Sequence, residues 1–181
     1  MTPKTYAEEC LHRIEWRCPT VPSPNTLADT LGIVVTGSPR DTRPDAWDGL
    51  SIVTGDGWII LVNRSQAWVR RQWTLTHEMG HILQHGVEQR GLWHQDPTER
   101  NESMEREADS FAREFLMPAE LMWSLYSQLG TDTAALARHL RLSRPAVAWR
   151  MQELGIGHRQ NAVYCRERRS HDGTVVDPRQ N

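Results

Sequence analysis

Residues 70–86, "RRQWTLTHEMGHILQHG", carry His77, Glu78 and His81 inside one run of helical periodicity. On an α-helix, positions four apart lie on the same face one turn apart, so the two imidazoles can aim at a common point with Glu78 beside them. Two histidines and a carboxylate so placed suit a cation that polarises a carbonyl and acidifies water, with Glu78 as the proton carrier. The competing reading is a polar face on an ordinary helix.

A third ligand has to come from elsewhere. His85 sits one further turn along the same helix, and three consecutive turns cannot converge on one tetrahedral ion. The elongated metalloprotease pattern with a third histidine needs glycine at 84 and histidine at 87, where this chain has Gln84 and Val87. The next acidic source is "SMEREADSFAREFLMP", residues 103–118. At about 100° per residue, Ala108, Phe111, Ala112, Phe115 and Leu116 share one face; Glu105 projects near its edge and Glu107 points away. Glu105 is therefore the expected ligand, with Glu107 the alternative. Asp109, one turn on from Glu105, is placed to hold the far nitrogen of a liganding histidine.

Around these helices the chain organises simply. Its 181 residues suit one domain, and a formal net charge of -2 gives no global pull towards nucleic acid or anionic membrane. Cys10, Cys18 and Cys165 are odd in number and lack CxxC spacing, which points to free thiols. With neither a signal-peptide h-region nor an apolar run of about 18 residues, the expectation is a cytoplasmic protein. Thr5 to about Cys18 and a short helix ending at Gly32 read as a two-helix lid. "GLSIVTGDGWIILVN", residues 49–63, reads as a β-hairpin turning at Gly-Asp-Gly. Ser65 is the expected N-cap of the His77 helix and Gly86 its C′ residue. A loop follows, then the Glu105 helix from near Ser103 to Pro118, then about three short helices.

Together, "RRQWTLTHEMGHILQHG" and "EREADSFAREFLMP" resemble the ImmA/IrrE family of bacterial and phage metallopeptidases. "ADTLGIVV", "DGLSI", "WIILVN" and "LARHLRLSRPAVAWRMQELGI" fall in that family's order and spacing. The resemblance implies an α+β, gluzincin-like fold: a small antiparallel sheet packed on the HExxH helix, and a C-terminal helical, helix-turn-helix-like subdomain. It implies metal ligands at His77, His81 and Glu105 and a catalytic glutamate at Glu78, the same four residues that spacing selects. It further implies Zn²⁺, with Mn²⁺ tolerated, and an endopeptidase whose substrate is a helix-turn-helix, XRE-type repressor encoded nearby. Some members carry a GAF-like sensor, for which the residues after 157 are too few. Trp73 stands where the family usually has phenylalanine.

The expected division is residues 1–125 for the peptidase core, 126–157 for the helical subdomain, and 158–181 for a polar, Arg-rich tail, partly disordered apart from a small strand pair around Val163 and Val175. "WIILVN" offers a sheet edge along which a substrate peptide would extend. Tyr126, His94 and His139 are candidate oxyanion donors, and Trp93 and Trp123 candidate groove residues. Against proteolysis stand two alternatives. One is a DNA-binding regulator using Arg144 and Arg150 on a recognition helix, or the Arg-rich tail, although so few arginines make a weak phosphate footprint. The other is a protein that sequesters its repressor without cutting it.

Overall fold

The computed structural model describes residues 1–38, 47–86 and 102–157. Among these residues lie helices α1 (Pro3–Arg13), α2 (Pro24–Thr30), α3 (Trp68–His85), α4 (Glu102–Leu116), α5 (Ala119–Leu129), α6 (Thr133–Leu140) and α7 (Arg144–Glu153), with strands β1 (Val34–Ser38), β2 (Gly49–Thr54) and β3 (Gly57–Asn63). The expected loop at residues 87–101, with Trp93 and His94, and the tail at 158–181, with Cys165, lie outside the described residues.

Local chemistry accounts for most of the helix boundaries. Thr2, Ser23, Asp132 and Ser143 cap α1, α2, α6 and α7 by accepting backbone N–H groups, and a proline occupies the first turn of three of them. α1 stops at Arg13, short of the expected Cys18. Glu15 takes φ 52°, its N–H donating to His12 O at 3.0 Å while the Trp16 N–H donates to Leu11 O at 2.9 Å. That is a Schellman stop built on a glutamate, so no glycine marks it in the sequence. Ser65 does not cap α3: its N–H is taken by Asn63 Oδ1 at 2.9 Å in the turn after β3, and the helix starts at Trp68 with no side-chain cap.

The hairpin forms as expected, β2 antiparallel to β3 from Gly49↔Val62 to Thr54↔Gly57. The sheet as a whole is mixed, however, and not antiparallel: β1 runs parallel to β3, and the order is β1-β3-β2. β1 escapes a sequence reading because it is short, contains Gly37 and is mostly exposed, so it shows no in/out alternation. β3 is thus central with both edges paired, and "WIILVN" offers no free edge; among the described residues the outer strands are β1 and β2.

One hydrophobic cluster unites the helices and β3. Leu75, Met79 and Ile82 of α3 meet Phe111, Phe115 and Leu116 of α4, and the same cluster takes in Ala7 and Cys10 of α1, Leu121 and Leu125 of α5, Leu136 of α6 and Val147 of α7. α1 is therefore part of the core and not a lid. Arg150, which the alternative DNA-binding reading would place on a recognition face, is 1% exposed. Its guanidinium holds the Glu114 carboxylate through two bonds of 2.9 and 2.6 Å, and its Nε donates to Met117 O at 3.0 Å. The arginine fastens α7 to the end of α4 and is not available to a phosphate.

Candidate metal centre

The centre is built where α4 crosses α3, and one glycine sets their separation. A Cβ on Gly80 would lie 3.0 Å from Ala108 Cα and 3.2 Å from its carbonyl oxygen, tighter than most carbon contacts. Glycine lets α4 come this near without displacement, which brings Glu105, one turn before Ala108, over the two histidines.

There the Nε2 atoms of His77 and His81 lie 3.0 Å apart, with the Glu105 carboxylate 3.4 Å from each. One ligand atom from each residue falls within 4.8 Å of the others. A tetrahedral ion with bonds of about 2.0–2.2 Å separates its ligands by about 3.3 Å, so two imidazole nitrogens and a carboxylate at these spacings fit a divalent cation. His85 stands apart from this group, its Nε2 3.7 Å from Glu107 Oε2. Of the two acidic alternatives, the structure brings Glu105 to the histidines and Glu107 to His85.

Asp109 supports the arrangement from behind: its Oδ1 lies 2.9 Å from His77 Nδ1, so this nitrogen donates and Nε2 faces Glu105 and His81. Burial pulls the His77 pKa down, but the hydrogen bonds to Asp109 and Glu105 outweigh it and carry the pKa up to about 9. Burial, reinforced by the charge on His77, pushes His81 down to about 4. The metal-free pair therefore holds one proton near neutrality, in the place a cation would take.

Glu78, next to His77 on α3, faces the same cleft from the side of β2. Burial raises its pKa, opposed by a hydrogen bond from Ser51 Oγ to its Oε2 at 2.5 Å and by the charge on His77. β2 reaches this close because Gly49 has no side chain: a Cβ there would sit 2.5 Å from Thr74 Cγ2 and 3.0 Å from Glu78 Cγ. Sequence reading assigned no role to Ser51 or Gly49. The available signal was alternation, which puts both on the same face of β2 and leaves a serine buried within an apolar strand.

His77, Glu78, Glu105 and Asp109 open into a cleft of about 480 Å³. Its far wall includes Leu142, Ser143 and Ala146, from the α6–α7 turn and the start of α7. Neither Tyr126 nor His139, the candidate oxyanion donors within the described residues, lines it; Tyr126 packs edge-on against Trp123 with ring centres 5.9 Å apart.

The sequence profile of a peptidase family, described as the IrrE N-terminal-like domain (Peptidase_M78), matches residues 28–152. No curated protein sequence matches the chain. Among solved structures, a Mycobacterium tuberculosis transcriptional regulator is similar with a TM-score of 0.58 at 17% identity, over 82% of this chain and 46% of that one. The chain thus spans about half the length of that protein, and at this identity the likeness is one of fold.

Proposed function

Because the chain belongs to the IrrE N-terminal-like peptidase family, we propose that it is a metal-dependent endopeptidase, with His77, His81 and Glu105 as ligands, Glu78 as general base and acid, and Asp109 orienting His77. The observation that carries this reading is the triangle of two imidazole nitrogens and a carboxylate with a half-buried glutamate beside it. Zn²⁺ is the ion best suited to two histidines and a carboxylate, and Mn²⁺ is tolerated. Such a cation supplies Lewis acidity towards a carbonyl and lowers the pKa of water.

The protein's own groups do the rest. Asp109 holds the His77 ring so that Nε2 carries the lone pair. Ser51 fixes one oxygen of Glu78, leaving the other to take a proton from the attacking water and return it to the departing amine. The pKa raised by burial suits Glu78 to holding that proton between the two events. β2, the sheet edge next to Glu78, is where an extended peptide would pair, in a zincin-like packing of sheet on active-site helix.

For the substrate we infer a helix-turn-helix repressor encoded nearby, cut in the cytoplasm. The similar mycobacterial structure is a transcriptional regulator, which supports a regulatory setting. The test mixes purified repressor with this protein, with and without Zn²⁺ or Mn²⁺, and measures intact masses. Metal-dependent fragments that vanish with Glu78→Gln are expected. An intact repressor that nevertheless co-purifies with the metal-loaded protein would replace cutting by sequestration.

A further inference from the structure

The cleft that holds the candidate metal centre continues along α3 into an apolar recess. Val69, Trp73 and His77 follow one another at four-residue spacing, so they share a face of the helix, and all three line the cleft. Trp47 adds a second indole at the entrance to β2. It is held there because its carbonyl accepts from Asn63 Nδ2 at 3.1 Å while the Asp48 carbonyl accepts from Asn63 N at 3.0 Å. Leu142 and Ala146 close the recess from the α6–α7 side. Trp47 and Val69 are each 38% exposed, high for large hydrophobic side chains beside a cleft. The charges at this end, Asp48 and Arg70, are paired with each other, Arg70 Nε lying 3.1 Å from Asp48 Oδ2.

Resting on the peptidase reading above, we propose that this recess is a specificity subsite that takes one bulky apolar side chain, aromatic or large aliphatic, of the peptide being cut. Helix geometry sets which one. Trp73 precedes His77 by four residues, about 6 Å along the axis, and an extended peptide advances about 3.3 Å per residue. The side chain in the recess therefore belongs to a residue within two positions of the scissile bond. A charged side chain is disfavoured in the recess, because Asp48 and Arg70 at its mouth are paired with each other and the side chains nearest it are Trp47, Val69, Trp73, Leu142 and Ala146. The small side chain of Ala146 sets the depth of the recess. The α6–α7 pair thereby acquires a role in reading peptide, as one wall of the cleft.

The test uses binding, so it needs no known substrate and no turnover. N-acetyl-phenylalanine hydroxamate, N-acetyl-glycine hydroxamate and N-acetyl-glutamate hydroxamate are titrated by calorimetry into the full chain loaded with Zn²⁺. The phenylalanine compound is expected to bind at least about tenfold more tightly than the glycine compound, with the glutamate compound no tighter than glycine. Ala146→Trp, which fills the recess, and Trp47→Ala, which removes a wall, should each bring the phenylalanine-to-glycine ratio towards one. Both should leave glycine hydroxamate affinity unchanged, which also reports that fold and metal are intact. Equal affinities in the wild-type protein, or a preference that neither variant alters, overturn the subsite while leaving the metal centre standing. A stoichiometrically loaded protein that binds none of the three overturns the reading of an accessible cation, and the subsite with it.

Discussion

Replacing Gly80 by alanine tests how the centre is assembled without touching any of its ligands. The new Cβ would meet Ala108 Cα at 3.0 Å, the Ala108 oxygen at 3.2 Å and Phe111 Cδ1 at 3.2 Å. Carbon pairs rest at about 3.5–4.0 Å, so relief requires a shift of a few tenths of an ångström, and two of the three atoms are backbone of α4. Overpacking of this kind costs about 1–3 kcal/mol, while alanine gains about 1 kcal/mol over glycine inside a helix. The net loss is about 0–2 kcal/mol, a fall in Tm of up to about 8 °C for a chain of this size. The larger effect is on the metal, because the shift carries Glu105, on the turn before Ala108, and metal–ligand distances tolerate only about 0.2 Å. An affinity loss of about ten- to a hundredfold is expected, the size seen when supporting groups of metal sites are disturbed. Competition with a chromophoric chelator reads the affinity and a thermal melt reads the stability. Gly55→Ala is the control, since no atom lies within 4 Å of a Cβ there. A Gly80→Ala protein with unchanged metal affinity and a raised Tm would show helix propensity alone at work and refute the close-approach argument.

Further expectations follow from the same geometry. Glu78→Gln should keep metal affinity and fold while losing all measurable cleavage, because the amide cannot accept a proton; near wild-type turnover in a fragment assay would remove Glu78 from the chemistry. With the metal-free His77 pKa at about 9, a proton must leave when a cation binds at pH 7. Metal affinity should therefore climb about tenfold per pH unit up to about 9 and then level off; chelator competition giving equal affinities at pH 6 and pH 8 would contradict the proton's place in the site. Arg150→Ala removes both bonds to the partly buried Glu114 carboxylate, while Glu153 keeps Arg113, and should destabilise by about 3 kcal/mol, the low end of the range for breaking a buried pair. Adding Glu114→Gln should restore part of that loss, and a melt showing no difference between the single and double variants would argue against the network.

The parts of this molecule that repeat locally were legible in its sequence. His77 and His81 at one-turn spacing, the apolar stripe on α4, and the helical-wheel argument that separates Glu105 from Glu107 all depend on a period internal to one helix, and the structure reproduces them. Gly-Asp-Gly between two β-rich runs marked the hairpin for the same reason. What escaped depends on partners distant in sequence. β1 is a strand only because β3 needs a second neighbour. Ser65 looked like a cap, but it sits in the turn that Asn63 closes after β3, and α3 starts three residues later at Trp68. Arg150 looked like a DNA contact on a helix whose burial is set by Glu114, on α4. Ser51 meets Glu78 only because Gly49 brings β2 against α3. Trp73 reads as a simple exchange for phenylalanine, and only the fold turns it towards a cleft shared with the candidate ligands.

The claim on which the rest depends is that His77, His81 and Glu105 together hold one divalent cation. Equilibrium dialysis against Zn²⁺, followed by elemental analysis, measures this directly on the wild-type protein and on His77→Ala, His81→Ala, Glu105→Ala and Glu107→Ala, each checked for fold by circular dichroism. One tightly held equivalent is expected in the wild-type and Glu107→Ala proteins, with strong loss in the other three. Retention of a full equivalent by folded Glu105→Ala, with loss from Glu107→Ala, would contradict the centre as assembled here.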